Sequence, residues 1–505
     1  MFVRKKINNS GTISVQIVDK SSGKYRVVKS LGASKNPDRI DYLWRQAHVI
    51  LPDLIGQTTF DFYTDNDKRI NQYMCNTESF KVRVIGPELI LGKLFDRIGF
   101  NAIDDELFRH LVITRLVYPG SKLKTIDYLN RYRGIDVPKD DIYRFLDDLN
   151  CKHKTKVEDT SFQHTQKTLG GDIGIVFYDM TTLYFESEDE DDLRKKGFSK
   201  DGKHQNPQIY LGLMVGANGY PIGYEIFEGD IYEGHTLIPV LKAFEKRFNL
   251  AKPIVIADAG LLSNDNIKLL ENQGYSYILG ARIKNEKFAI KEKILALNLA
   301  DNAYAEIKKT RDARLIVSYA DQRAKKDKHN RERGLQRLEN CLKKGKLTKS
   351  HINNRGYNKY LKLAGDIQIE IDYQKFESDN KWDGLKGYLT NSNLPAKAII
   401  ENYKNLWQIE KAFRISKTDL KIRPIYHRLR ERIEAHICIA FSAYTIYKEL
   451  ERILYLKNAP FSAKRATELT QTIYALDYEL PDSRKMDTIT IGLSEEQKIL
   501  CKIFE

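Results

Sequence analysis

The chain is 505 residues long, 42% hydrophobic, with 83 Lys+Arg against 68 Asp+Glu and a formal net charge of +15. That length exceeds one ordinary domain and that hydrophobic share excludes a disordered chain, so about two to four units around at least one sizeable core are expected. The basic excess points to a polyanionic partner, and the five scattered cysteines, with no CxxC pair and no zinc-finger spacing, argue against a disulfide framework or a structural zinc.

The N-terminal MFVRKKINNSG has no apolar core of the kind a signal peptide needs. No window approaches the run of about 18 apolar residues that a membrane helix needs, so a cytoplasmic location without a membrane partner is expected. ISVQIVD alternates, SSGK turns and YRVVKSLG returns, which predicts a hairpin, followed by a helix from Arg39 to Leu54. Residues 87–149 read as helices, because ELILGKLFDRIGF, ELFRHLVITRLV and DIYRFLDDL carry apolar residues at three- and four-residue spacing around a turn at Pro119 and Gly120. Arg109, Arg115, Lys122, Lys124, Arg131 and Arg133 on these helices fit either a DNA-binding region or the solvated faces of a bundle.

From Asp172 the pattern changes. DIGIVFYDMTTLYF is a continuous apolar run suited to a buried strand; QIYLGLMV follows, GYP turns and IGYEIF returns, so three antiparallel strands are predicted. A helix from His235 to Phe248, a strand at PIVIAD, a helix capped by Ser263 and a strand at YSYILG complete the order of a ribonuclease H-like core. Regularity then lapses until Thr390, where strand-like pieces flank the basic run Arg323 to Lys349. This predicts an inserted subdomain. A long helix from Pro395 and another from Glu431 to Leu454 follow. The expected organisation is an α/β protein with a small β unit (1–86), a helical DNA-binding region (87–159), a ribonuclease H-like core in two parts (160–281 and 391–454) split by the insertion (282–390), and a C-terminal region (455–505).

Asp179 and Asp258 are read at the ends of the first and fourth buried strands, which are neighbours in such a sheet. Glu410 completes the set: Tyr403, Leu406, Glu410, Phe413 and Lys417 share one helical stripe, and a carboxylate in a core-facing stripe is costly unless paired or metal-bound. Three carboxylates without His or Cys suit two Mg²⁺ ions, with Mn²⁺ a substitute. Two hard cations about 3.5–4 Å apart can activate water and stabilise a leaving 3′ oxygen in phosphodiester cleavage. A freed 3′ hydroxyl can replace the water, which is strand transfer.

Tyr403, Glu410 and Lys417 stand in the order Tyr-x2-Arg-x3-Glu-x6-Lys that marks DDE transposases of the insertion-sequence-four superfamily. FYDMTTLYFES, GFSKDGKHQNPQIYLGL and IVIADAGLLS resemble the segments around that family's two aspartates. GFSKDGK, ADAGLLS, RAKKD and IEKAFRISKTDLKIRP are most similar to its sixteen-thirty-four branch. One position departs: the family's Arg is Leu406 here, and Arg414 or Arg423 offers a similar charge nearby. The resemblance implies that Tyr403 and Lys417 bind DNA phosphates and that the insertion is a β-rich subdomain that contacts element ends. It also implies a homodimer acting on double-stranded DNA, at terminal inverted repeats and target, in a prokaryotic cell, associated with the nucleoid when bound.

Lys200 and Lys203 are further candidates for phosphate contact, while His204 beside them reads as a solvated loop residue. His436 reads as a satisfied core histidine and ESEDEDD as an exposed loop. The basic run at Arg323 to Lys349 is a DNA-tracking surface or a solvated helix face. Two rivals remain at this point: a nuclease of the same fold without strand transfer, and a DNA-binding protein without catalysis.

Overall fold

The computed structural model describes residues 1–55, 64–75, 80–248, 251–261, 263–353, 356–364, 368–480 and 483–505. They fall into two units, Met1–Lys81 with Tyr478–Asp487, and Val82–Asp477 with Thr488–Glu505.

In the first unit β1 (Phe2–Ile7), β2 (Ile13–Asp19) and β3 (Arg26–Ser34) form an antiparallel meander. Helix α1 (Pro37–Ile55) lays Ile40, Leu43 and Ala47 against Val3, Val15 and Ile17. The predicted hairpin and helix are present. β1 had no sequence signal because FVRKKI buries only Val3. Helix α2 (Asp65–Met74) starts at a capping box made by Thr64 and Asp67.

After β4 (Phe80–Val84) come the helices α3 (Lys93–Ile98), α4 (Glu106–Val117), α5 (Lys122–Tyr128), α6 (Lys139–Asp148) and α7 (Lys154–Thr168). The predicted series then follows in order: β5 (Ile175–Tyr184), β6 (Gln208–Val215), β7 (Pro221–Glu228), α8 (Leu237–Phe248), β8 (Ile254–Ala257), α9 (Asn264–Asn272) and β9 (Tyr277–Ala281). Strands β5, β6 and β7 pair antiparallel, β8 lies parallel to β5, and β9 lies parallel to β8.

The segment expected to stand apart as an insertion contains α10 (Phe288–Leu295), β10 (Tyr304–Lys308), β11 (Arg314–Tyr319), α11 (Asp321–Lys343), β12 (Leu361–Ala364), β13 (Gln368–Ile371), α12 (Tyr373–Ser378) and β14 (Leu385–Thr390). Three of these strands join the main sheet. Its order is β10-β11-β14-β9-β8-β5-β6-β7, because β14 pairs antiparallel with β9. Only β12 and β13 form a separate hairpin.

The single long helix expected from Pro395 is two, α13 (Ala396–Lys404) and α14 (Trp407–Arg414). At the break the Gln408 amide donates to the Asn405 carbonyl (2.9 Å) and that of Ile409 to Leu406 (3.2 Å), the tighter spacing of a 3₁₀ turn. Helix α15 (Arg430–Leu456) is buried along most of its length, and α4, α6 and α7 pack around it. The chain ends with α16 (Ala463–Thr470), β15 (Tyr474–Glu479), β16 (Met486–Thr490) and α17 (Glu495–Phe504).

Alternation along β5 divides the core. Val176, Tyr178 and Met180 face α8 with its Val240, Leu241 and Phe244. Phe177 and Leu183 face the other way, into one cluster with α15 and the helices of 87–159. Those helices therefore share a core with the sheet. Asp179 has the parity of Phe177 and lies on that side. No described helix is long and apolar enough to cross a membrane, and all five cysteines are free.

Candidate active site

Parallel pairing of β5 with β8 sets Tyr178 opposite Ala257, so the next residues, Asp179 and Asp258, leave neighbouring strands side by side. Asp258 follows the last residue of β8, as expected. Asp179 lies in mid-strand instead, because β5 continues to Tyr184 through its pairing with β6.

Asp179 is half-buried, its side chain 29% exposed. Burial pushes its carboxyl up to about 6; Lys200 opposes that rise, and the Glu233 and Asp258 carboxylates add to it. The Lys200 ammonium stands 2.6 Å from Glu233 Oε1 and 3.9 Å from Asp179 Oδ1, and donates to the Met180 carbonyl at 2.6 Å. Lys200 is thus the internal counter-cation of an acid pair. The loop carrying it is held by Ser199, whose Oγ accepts from the amides of Asp201 and Lys203 (3.3 and 3.1 Å), and by His204, whose Nδ1 accepts from the Ser199 amide at 3.2 Å. His204 is therefore a loop-ordering group.

Tyr403, on α13, is 5% exposed and donates its hydroxyl hydrogen to Asp258 Oδ1 at 3.1 Å. Burial raises the phenol far above its ordinary range, and the Asp258 carboxylate adds to this. Gly280 on β9 makes room for that hydroxyl, since a Cβ there would collide with it. Lys386 on β14 lies 4.5 Å from the centre of the Tyr403 ring. Burial and Arg323 lower its ammonium, while Asp258 and Glu410 both raise it.

Glu410 does not face the core. It is exposed in the first turn of α14 while Tyr403, Leu406 and Phe413 are buried. Lys417 is half-buried, 3.2 Å from Asp201 Oδ2, and Arg423 pairs with the same carboxylate. Burial, with Arg423 beside it, lowers the Lys417 ammonium. Arg414 is exposed on α14. Lys203 lies 5.3 Å from the centre of the Tyr184 ring. The acidic run is an exposed loop in which Asp191 accepts from the amides of Leu193 and Arg194 (2.9 and 2.6 Å). His436 is buried with Nε2 on the Ile422 carbonyl at 2.9 Å, as a core histidine.

The reading of the sequence did not single out Glu233 or Lys386. Glu233 had a topological signal: β7 runs antiparallel to β6 and hence in the direction of β5, so the loop after β7 opens at the edge where Asp258 emerges. Lys386 had none. A cleft of about 770 Å³ extends from Asp258 and Tyr403 across β9 and β14 to α11, lined by Lys386, Arg282, Arg323 and Arg331 among others.

Among the described residues no three His, Cys, Asp or Glu side chains stand close enough to share one ion as placed. The chemistry of the donors nevertheless fits a hard divalent cation. They are oxygen only, the Glu233 and Asp258 carboxylates add to the rise of Asp179, and a lysine ammonium already answers these acids.

A family model described as a transposase DDE domain matches residues 170–446, more than half of the chain. The chain belongs to that family. The matched span of this transposase runs from just before β5 into α15 and contains Asp179, Asp258 and Glu410. No curated protein matches the chain. Among solved structures it is similar to a piggyBac transposase synaptic complex with hairpin DNA, at 10% identity and a TM-score of 0.39 over 76% of each chain.

Proposed function

We propose that this transposase is encoded by an insertion sequence, of the insertion-sequence-four superfamily and its sixteen-thirty-four branch, and that it cuts element ends and joins the 3′ hydroxyl strand to target DNA. The observation that carries the reading is the side-by-side placement of Asp179 and Asp258 by the parallel β5–β8 pair, inside the family match. The order β7-β6-β5-β8-β9, with three strands antiparallel and two parallel, supports a ribonuclease H-like core. In this reading β10, β11 and β14 are an insertion that widens the sheet.

Asp179, Asp258 and Glu410 would hold two Mg²⁺ ions, or Mn²⁺ in their place. Such ions, when bound, supply a nucleophile at neutral pH and stabilise charge on the leaving oxygen. The protein's own share is positioning. Tyr403 fixes the Asp258 carboxylate, Lys200 balances Asp179 until a cation competes with it, and Lys386 offers positive charge between Asp258 and Glu410. Arg414, Lys417, Arg423, Lys200 and Lys203 are proposed phosphate contacts, of which Lys417 and Arg423 must exchange Asp201 for DNA. A homodimer on DNA would hold two inverted repeats together.

A second reading of the third acid has its own observation. Glu233 shares Lys200 with Asp179, whereas Glu410 is exposed on α14. The test is cleavage and joining of labelled element ends with Mg²⁺, Mn²⁺ or Ca²⁺, by the parent and by Asp179→Ala, Asp258→Ala, Glu410→Ala and Glu233→Gln. Loss of both steps in the first three, with DNA binding retained, is expected. Normal cutting by Glu410→Ala with loss in Glu233→Gln would move the third acid to Glu233. A parent that binds ends and never cuts them would end the catalytic reading.

A further inference from the structure

A second cavity, of about 540 Å³, opens between the α4–α5 turn, the segment 421–427 and α15. Its lining contains no Asp or Glu, yet it holds two cations that are almost wholly buried: Arg115, 4% exposed, and Lys122, 5% exposed. Buried charges are ordinarily paired, because taking an ion out of water costs several kcal/mol that only a partner offsets. Here no carboxylate among the described residues lies within ion-pair distance of either. The Arg115 guanidinium reaches only the Leu420 carbonyl, at 3.5 Å. Asp147, whose charge reaches His427, is engaged by Arg432 through two hydrogen bonds of 2.8 Å.

Two histidines complete the wall. The His427 and His436 rings lie 5.5 Å apart, and with Nε2 of His436 on the Ile422 carbonyl its buried Nδ1 has no partner. Burial, Arg115 and Lys122 all hold His436 neutral, and Lys122 itself is strongly depressed by burial and by Arg115. Four nitrogen-bearing side chains thus converge on one space with nothing negative to answer them. An unanswered buried cluster of this kind calls for a missing anion.

We propose that this cavity is a phosphate-binding pocket, in which Arg115 and Lys122 clasp the phosphate oxygens. Arg and Lys are the side chains suited to phosphate, one as a planar fork and one as a point charge. The phosphate can be free or carried on a DNA strand. Arg423 lines the same cavity and pairs with Asp201, next to Lys200 of the carboxylate site, which favours a strand terminus led here from the point of cutting.

The experiment is thermal unfolding and titration of the full chain at constant ionic strength, with inorganic phosphate, a 5′-phosphorylated duplex and a 5′-hydroxyl duplex as separate arms. The free-phosphate arm does not depend on the transposase reading. The parent's Tm rises with phosphate against a chloride control. Lys122→Met, which removes an unpaired buried charge, has a higher Tm than the parent without phosphate and binds phosphate at least about tenfold more weakly. Lys124→Met, at the exposed rim, is a milder variant whose affinity falls less. Preference for the 5′-phosphorylated duplex, lost in Lys122→Met, identifies a strand terminus as the source. A response to inorganic phosphate alone identifies the free anion, and equal responses to both duplexes, weakened by Lys122→Met, identify internal phosphates. No response of the parent in any arm, or an unchanged response in both variants, overturns the proposal.

Discussion

Tyr403 brings a buried hydroxyl to an exposed carboxylate, and its ring is fixed against Tyr388 with centroids 5.1 Å apart. Phe at this position keeps the packing and loses only the hydrogen bond to Asp258. Hydrogen bonds to charged groups contribute about 1.5–3 kcal/mol, which corresponds to a tenfold to hundredfold loss if the bond also orients Asp258 during cleavage. Tyr403→Phe is therefore expected to keep its Tm within a few degrees while cleaving element ends about ten to a hundred times more slowly at limiting Mg²⁺. Parent-like rates would place the hydroxyl outside the reaction. At this scale the sequence reading placed Asp258 just after a buried strand, where it stands, and put Asp179 at a strand end, whereas it lies inside β5. It placed Glu410 in a core-facing stripe, whereas Glu410 is exposed and its neighbours in that stripe, Leu406 and Phe413, are buried. It could not find Lys386, whose neighbours Asp258 and Glu410 are brought to it by tertiary pairing alone.

Between elements, the approach of α13 to the sheet depends on Gly280. A Cβ there would collide with the Tyr403 hydroxyl and stand 3.2 Å from the Ala259 amide nitrogen. Overpacking of this kind costs about 1–3 kcal/mol, so Gly280→Ala should lower the urea midpoint by a corresponding amount. Removing the hydroxyl in a Gly280→Ala, Tyr403→Phe double variant should restore part of the loss, with a coupling of about 1 kcal/mol. Simple additivity would mean that the contact does not set the spacing. Helix α15 contains a second element-scale device. Glu449 has no exposed side-chain surface and meets Arg452 at 2.6 Å and His164 at 3.3 Å. Burial alone would raise its carboxyl, but the hydrogen bonds from Arg452 and His164 hold it at about 2, below the ordinary 4.5. A depressed acid stabilises the fold above its unfolded pKa and loses that contribution as pH falls towards the folded one. Glu449→Gln should thus destabilise by roughly 3 kcal/mol at pH 7 and flatten the acid limb of the unfolding curve between about pH 5 and 2. An acid limb identical to the parent's would assign the acid sensitivity to other carboxylates. The strands of the core were legible because β5 and β8 are apolar runs bounded by turns. The union of β14 with β9 was not, because pairing across a hundred residues leaves no local periodicity to read.

Over the whole molecule the +15 charge is unevenly used. Many of the 83 basic residues are answered by acids, as where Arg109 and Arg133 meet Glu88, Arg247 meets Glu158 and Asp159, and Arg331 meets Asp383. On the helices of 87–159, Arg109 and Arg133 are held by Glu88, Arg109 also by Asp96, and Arg131 by Asp127. The cleft beside Asp258 is lined by Arg282 and Arg323, both exposed, and by Lys386. Each phosphate neutralised there releases counterions, so affinity for duplex DNA should fall with salt by about 0.9 in log–log slope per contact. Arg282→Ala and Arg323→Ala, measured from 50 to 300 mM salt by fluorescence anisotropy, should each weaken binding similarly on element-end and unrelated duplexes and reduce the slope by about one contact. A slope unchanged in both variants would mean that DNA follows another face. Weakening confined to element ends would instead mean that these arginines read bases, and the cleft would then be a recognition surface beside the acids rather than a track for the backbone.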